Sequence, residues 1–226
     1  MKYLVVVAHP DDEVLGAGAS IWKFTRSGAG VDLCVLCSEA KARTNRPDDR
    51  SLEDDLNKSS EYLGIGHIYR SSFPNIEMNT VPHLALVQAI EDAILKSRPD
   101  IVITHHPCDL NNDHMQTSFA CQEAVRIFQR RPEEHPVSEV WFMEVPSSTE
   151  WSLNSGFNRF QPNLFIETGR EGVDAKLKAL SMYRGVMRPF PHSRSEEYIT
   201  GLAAVRGGQG GVEYAEGFEV VFRRVK

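Results

Sequence analysis

Residues 2–13 read KYLVVVAHPDDE, and this stretch decides the fold. KYLVVVA (residues 2–8) is a continuous, β-branched apolar run, the mark of a strand covered on both faces. It runs straight into His9, Pro10, Asp11, Asp12 and Glu13. An imidazole and two adjacent carboxylates therefore leave the first buried strand, where unpaired polar groups would be costly to desolvate.

Strand and helix patterns alternate outward from this point. Val14, Ala17, Ile21 and Phe24 recur at helical spacing, and Gly28 and Gly30 stop that helix. VDLCVLC (31–37) is a second buried strand, followed by a polar, basic loop (38–50). Ser51 and Asp54 form a capping-box pattern that opens a helix with Leu52, Leu56 and Leu63 on one face. HIY (67–69) is a short strand, and Pro82 starts a helix with Val87, Ile90 and Ile94 as its stripe. IVIT (101–104) is the fourth strand, residues 114–130 read as one helix, and VWFMEV (140–145) is the fifth strand. Residues 146–162 read as a long loop, at this length a lid over a site. A strand over 164–168, helices near 172–184 and 195–206, a turn at Gly207, Gly208, Gly210 and Gly211, and a last strand over 218–222 complete the chain. This order predicts one domain over residues 1–226 of the α/β class, Rossmann-like, with a mostly parallel sheet and helices on both faces. In such sheets ligands bind at the carboxyl ends of the strands.

Composition agrees with a globular chain. Of the 226 residues, 41% are apolar and 25% charged, which excludes disordered and collagen-like architectures. No apolar run reaches the ~18–20 residues of a bilayer span, and the first apolar stretch is too short for a signal segment. A cytoplasmic location is expected. With 25 basic and 31 acidic residues the net charge is −6, which gives no electrostatic reason to bind nucleic acid or an anionic membrane. Cys34 and Cys37 have CxxC spacing inside a strand, so they are expected on opposite faces, unable to share a metal or a redox bond.

The candidate chemistry lies after strands one and four. Residues 105–114 read HHPCDLNNDH, so the two segments hold His9, His105, His106 and His114 with five acids. A divalent metal is the economical partner for this set, and imidazole with carboxylate suits a catalytic site better than a structural one. His9 and Asp12 can ligate from one turn, and His114 can supply a third ligand from the start of a helix. Asp11 and Asp12, being adjacent, point different ways, so that one ligates while the other holds a water. For Asp113, helix capping and catalysis are both open.

Ala8-His9-Pro10-Asp11-Asp12-Glu13 after an N-terminal strand resembles the signature of the LmbE/PIG-L family of zinc-dependent de-N-acetylases. Asp113-His114 resembles that family's second metal motif. Pro191-His192-Ser193-Arg194-Ser195 and Tyr214-Ala215-Glu216-Gly217-Phe218 resemble its C-terminal segments. The resemblance implies a Rossmann-like fold with one zinc per chain, other divalent ions being chemically open. It implies His9, Asp12 and His114 as ligands and Asp11 as general base. The implied substrate is a small N-acetylated amino sugar of the N-acetylglucosamine type, or its conjugate. Where many members carry a histidine, this chain has Asn111, an amide that cannot act as a general acid near neutral pH. Asp11 must then return the proton to the leaving amine, or His105, His106 or His192 acts. Arg43 and Arg46 in the loop after strand two are candidates for holding sugar hydroxyls or a phosphate. Trp151 is a candidate for stacking on a sugar ring. Arg188, Arg194 and Arg206 are candidates for the pocket wall or a subunit contact in a homo-oligomer. Competing expectations are an amidase acting on another amide, a non-catalytic Rossmann-like protein binding a sugar or nucleotide, and a two-metal phosphoesterase.

Overall fold

The computed structural model describes residues 1–37, 49–153 and 159–225. Its strands are β1 (Lys2–Val7), β2 (Gly30–Val35), β3 (Ile68–Arg70), β4 (Ile101–His105), β5 (Glu139–Met143), β6 (Leu164–Glu167) and β7 (Ala215–Arg223). Its helices are α1 (Asp12–Arg26), α2 (Asp49–Leu63), α3 (His83–Ser97), α4 (Asn112–Ala124), α5 (Ile127–Arg130), α6 (Gly169–Ser181) and α7 (Glu196–Gly210). All seven strands join one sheet in the order β3-β2-β1-β4-β5-β7-β6. β1 to β5 run parallel, and β7 enters antiparallel between β5 and β6. The α/β class and mostly parallel sheet are as the alternation predicts.

Side-chain alternation along the buried strands builds two cores. Tyr3, Val5 and Val7 of β1 pack with α1, α2, α6 and α7 on one face. Leu4, Val6 and Ala8 pack with α3, α4 and α5 on the other. Each fully buried Val or Leu contributes roughly 1.5–3 kcal/mol, so the double-sided burial of β1 fixes its register firmly. That register carries the site. β1 lies between β2 and β4, and Val6 pairs with Thr104, so the residues after Val7 emerge beside His105. Here the strand order reverses, and the helices that follow leave to opposite faces, opening a crevice.

Some local expectations change. The helix expected over 114–130 divides into α4 and α5, with Val125 and Ile127 both turned into the same core. The glycines after residue 206 are not a turn but the end of α7, capped by left-handed Gly211. Their smallness serves packing: a Cβ on Gly207 would come within 2.4 Å of the Glu213 carbonyl oxygen. Cys34 and Cys37 do not lie on opposite faces; both join the α3–α4 core, because β2 ends at Val35 and the alternation ends with it. Neither is in a disulfide, and burial pushes the Cys34 thiol up to about 12, as expected of an inert thiol. Among the described residues, no helix is long and apolar enough to cross a membrane.

Candidate metal centre

The turn after β1 is unusual. Asp11 has φ 103°, in the left-handed region that non-glycine residues seldom adopt. Its backbone N–H donates to Glu13 Oε2 at 3.1 Å, and α1 starts immediately at Asp12. The two neighbouring carboxylates consequently diverge. Asp12 Oδ2 accepts the His9 backbone N–H at 2.9 Å and lies 3.2 Å from both His9 Nδ1 and His114 Nε2. Asp11 Oδ2 instead faces Arg194 Nη1 at 3.4 Å.

His9, Asp12 and His114 are buried and offer one ligand atom each within 4.8 Å of one another. Each imidazole faces a second carboxylate on its other side. His9 Nε2 is 3.0 Å from Asp113 Oδ2, and His114 Nδ1 is 3.3 Å from Asp109 Oδ1. Such outer carboxylates fix the ring orientation and tautomer of a metal-ligating histidine. They are anchored in turn. Asp113 accepts backbone N–H groups of Ile76 (2.5 Å) and Met78 (3.1 Å). Asp109 accepts the Asn111 N–H (2.9 Å), Thr149 Oγ1 (2.7 Å) and Ser148 Oγ.

The charges explain why this group suits a cation. Burial disfavours the charged form of His114, but Asp12 and Asp109 outweigh it and raise its pKa to about 10. Burial also opposes ionisation of Asp12 and Asp109. His114 beside them holds Asp12 well below the usual carboxylate range and Asp109 down at about 2. The carboxylates thus demand positive charge at one point, which a proton on His114 or a divalent ion can supply. Two imidazole nitrogens and one carboxylate oxygen fit a borderline divalent ion, and three protein ligands leave a coordination position open.

The sequence profile of the PIG-L family, described as GlcNAc-PI de-N-acetylase, matches residues 4–125, more than half of the chain. This chain belongs to the PIG-L family. A diacetylchitobiose deacetylase of Thermococcus kodakarensis is 26% identical to it over 241 positions, covering 97% of this chain and 83% of that protein. The N,N′-diacetylchitobiose deacetylase of Pyrococcus horikoshii superposes with a TM-score of 0.78 at 21% identity, over 97% of this chain and 83% of that one. A 4-carboxy-2-hydroxymuconate hydratase of Pseudomonas putida superposes with a TM-score of 0.79 at 23% identity, over 100% of this chain and 98% of that one. These structural likenesses concern the fold, which carries both deacetylases and a hydratase.

The remaining predicted residues of this PIG-L chain are distributed as follows. Arg43 and Arg46 lie outside the described residues. Asn111 is the N-cap of α4, its side-chain oxygen accepting the Asp113 N–H at 2.9 Å, so its carbonyl end is committed to the helix and not to the reacting centre. Asp113 is an acid of the first turn of α4, as the helix-terminus reading expects, and its Oδ2 faces His9 Nε2 at 3.0 Å. His106 turns away from the metal group: Nδ1 accepts the Cys108 N–H, Nε2 faces Glu219, and the ring stands edge-on to Phe142 and Phe160. It lines a separate open cavity of about 530 Å³ with Cys108, Arg159 and Glu219. His105 does lie in the cluster, stacked 3.9 Å from His114, but its Nε2 accepts the Ala8 N–H and burial with the neighbouring His114 pushes its pKa to about 3. As a neutral imidazole it offers no acidic proton near neutral pH. His192 is exposed, accepts the Arg194 N–H at 3.0 Å, and is lowered by partial burial, Arg194 and Arg188.

Arg206 is bound to Glu144 through two 2.6 Å contacts, which ties α7 to the end of β5. Trp151 is half exposed on the short turn Thr149–Trp151. The first part of the expected lid is not free, since Asp109 holds Ser148 and Thr149. Sequence reading did not assign Asp109, Glu13 or Tyr183 to the site. Glu13 and Asp109 carried a signal, as two of the five acids in the two candidate segments, and Tyr183 carried none.

Proposed function

We propose that this chain is a zinc-dependent hydrolase that removes the acetyl group from an N-acetylated amino sugar or its conjugate. One observation carries the reading: the buried ligand-type atoms of His9, Asp12 and His114 converge within 4.8 Å, with Asp11 next to them on the same turn and directed elsewhere. Family membership and the deacetylase relative support it. His9, Asp12 and His114 would hold the ion, which when bound polarises the acetyl carbonyl and acidifies a water. Asp11 would take a proton from the attacking water as the water oxygen bonds to the acetyl carbon. The C–N bond then breaks and the proton passes from Asp11 to the departing nitrogen, giving acetic acid and the amine, which separate as acetate and the protonated amine. We assign both proton transfers to Asp11: His105 is buried and neutral, His106 faces another cavity, Asn111 has no acidic proton, and His192 is exposed with its Nδ1 accepting the Arg194 N–H.

The direct test is acetate release from N,N′-diacetylchitobiose by the zinc-loaded protein. Turnover that stops on chelation and returns with zinc is the expected result; no acetate from this or other N-acetyl sugars at full zinc occupancy overturns it.

Two further outcomes follow from the support around the ligands. Asp113→Asn weakens metal affinity about 10–100-fold, since His9 loses the carboxylate that orients it; competition against a fluorescent chelator measures this, and unchanged affinity removes Asp113 from that role. The second concerns pH. In metal-free protein the folded pKa of His114, about 10, lies above its ordinary value of 6.5. Its contribution to stability is therefore complete below pH 6.5 and disappears as pH rises through 10. The Tm of chelated protein should fall across that interval and the metal-loaded protein should fall less, because the ion replaces the proton. A flat Tm for the chelated protein would show that His114 holds no such proton.

A further inference from the structure

The left-handed conformation of Asp11 needs something to hold it, and the hydrogen bonds lead outward from it in a chain. Asp11 N–H donates to Glu13 Oε2 at 3.1 Å, and the Tyr183 hydroxyl donates to Glu13 Oε1. Both Glu13 and Tyr183 are buried, with 0% and 2% exposure, so water cannot substitute for either bond. Tyr183 comes from beyond the end of α6, 170 residues away from Glu13 and outside the stretch matched by the family profile. Its own place is fixed on both sides. The ring sits in the core that packs α1 and α6 on the sheet. The next residue, Arg184, is fastened to α2, its backbone N–H and Nε reaching Asp55 at 3.0 Å and its Nη2 reaching the Ser51 carbonyl at 2.7 Å.

We infer that Tyr183 is a positioning residue for the catalytic base: through Glu13 it holds the Asp11 backbone in the left-handed turn that separates the Asp11 carboxylate from Asp12. The inference rests on the base role given to Asp11 above. Tyr183 reaches neither the ligands nor Asp11 directly in any hydrogen bond of the described structure. Its loss should therefore slow turnover without releasing the metal. Small displacements of a reacting group cost up to about 100-fold in rate.

Tyr183→Phe removes the hydroxyl and keeps the ring. In the zinc-loaded protein acting on N,N′-diacetylchitobiose, kcat should fall about 10–100-fold, with KM and zinc content unchanged. Hydrogen exchange at the Asp11 amide should quicken by about tenfold or more, since its acceptor is no longer held. That exchange rate is independent of activity, so it decides the inference even if the wild-type protein releases no acetate. Wild-type kcat, or unaltered exchange at Asp11, overturns the proposal. If Tyr183→Phe does not fold, Glu13→Ala and Glu13→Gln take its place. The alanine variant should lose kcat and amide protection while keeping zinc. The glutamine variant should restore both, because its carbonyl can accept the Asp11 N–H while its amide nitrogen donates to the Tyr183 oxygen. Equal kcat and exchange in the two variants overturns the proposal.

Discussion

Asp11→Asn should lower kcat by about three orders of magnitude and leave the metal in place. General acid–base groups contribute roughly 10²–10⁴-fold, and in the proposed reaction one carboxylate moves the proton in both halves. Asparagine matches aspartate in shape and also tolerates the left-handed region, so the turn at φ 103° survives. Asp12, the proposed ligand carboxylate, faces away from position 11 and keeps its contacts with His9 and His114. What disappears is the proton acceptor and the charge opposite Arg194. Steady-state acetate release beside metal analysis of the same preparation measures both halves of the prediction. Turnover within tenfold of wild type would take the base role from Asp11, and lost zinc would show that Asp11 belongs to the ligand set.

His114→Ala should hold less than about a tenth of the wild-type metal and unfold at a lower temperature. The imidazole is both a ligand candidate and the cation that lies between Asp12 and Asp109. Its removal leaves two buried carboxylates without the charge that holds Asp109 at about 2. Removing one partner of a buried ion pair costs roughly 3–5 kcal/mol, which for a domain of this size is a Tm drop of about 10 °C. Zinc content by mass spectrometry, thermal unfolding and far-ultraviolet circular dichroism of chelated wild type and variant test this together. Full zinc occupancy in the variant would reject His114 as a ligand. An unchanged Tm in the chelated pair would show that the carboxylates need no cation there.

The support residues account for most of what the sequence concealed. Asp109 and Asp113 stand four residues apart in one polar loop and look alike as letters. Yet Asp109 backs His114 while Asp113 backs His9 across 104 residues of chain. Asn111, between them, reads as a reacting-group candidate by its place in the motif and serves as a helix cap. His105 and His106 are neighbours with opposite fates because they lie at the end of a strand, where successive side chains point to opposite faces. One joins the metal group and the other a separate cavity.

Local physics is written in local sequence. The apolar runs of β1, β2 and β4 and the helical stripes between them determine an α/β sheet, and KYLVVVAHPDDE places one imidazole and two carboxylates at its carboxyl edge. Side-chain direction and distant partners are not local. The left-handed turn at Asp11, the carboxylates behind each histidine and the approach of Tyr183 and Arg194 depend on segments up to 183 residues apart meeting at one buried point. Burial then sets the pairings, because a desolvated charge must find an opposite charge or a hydrogen bond within reach. Tertiary packing therefore decided which carboxylate joins the two imidazoles, which two stand behind them, and which lies beside them facing Arg194.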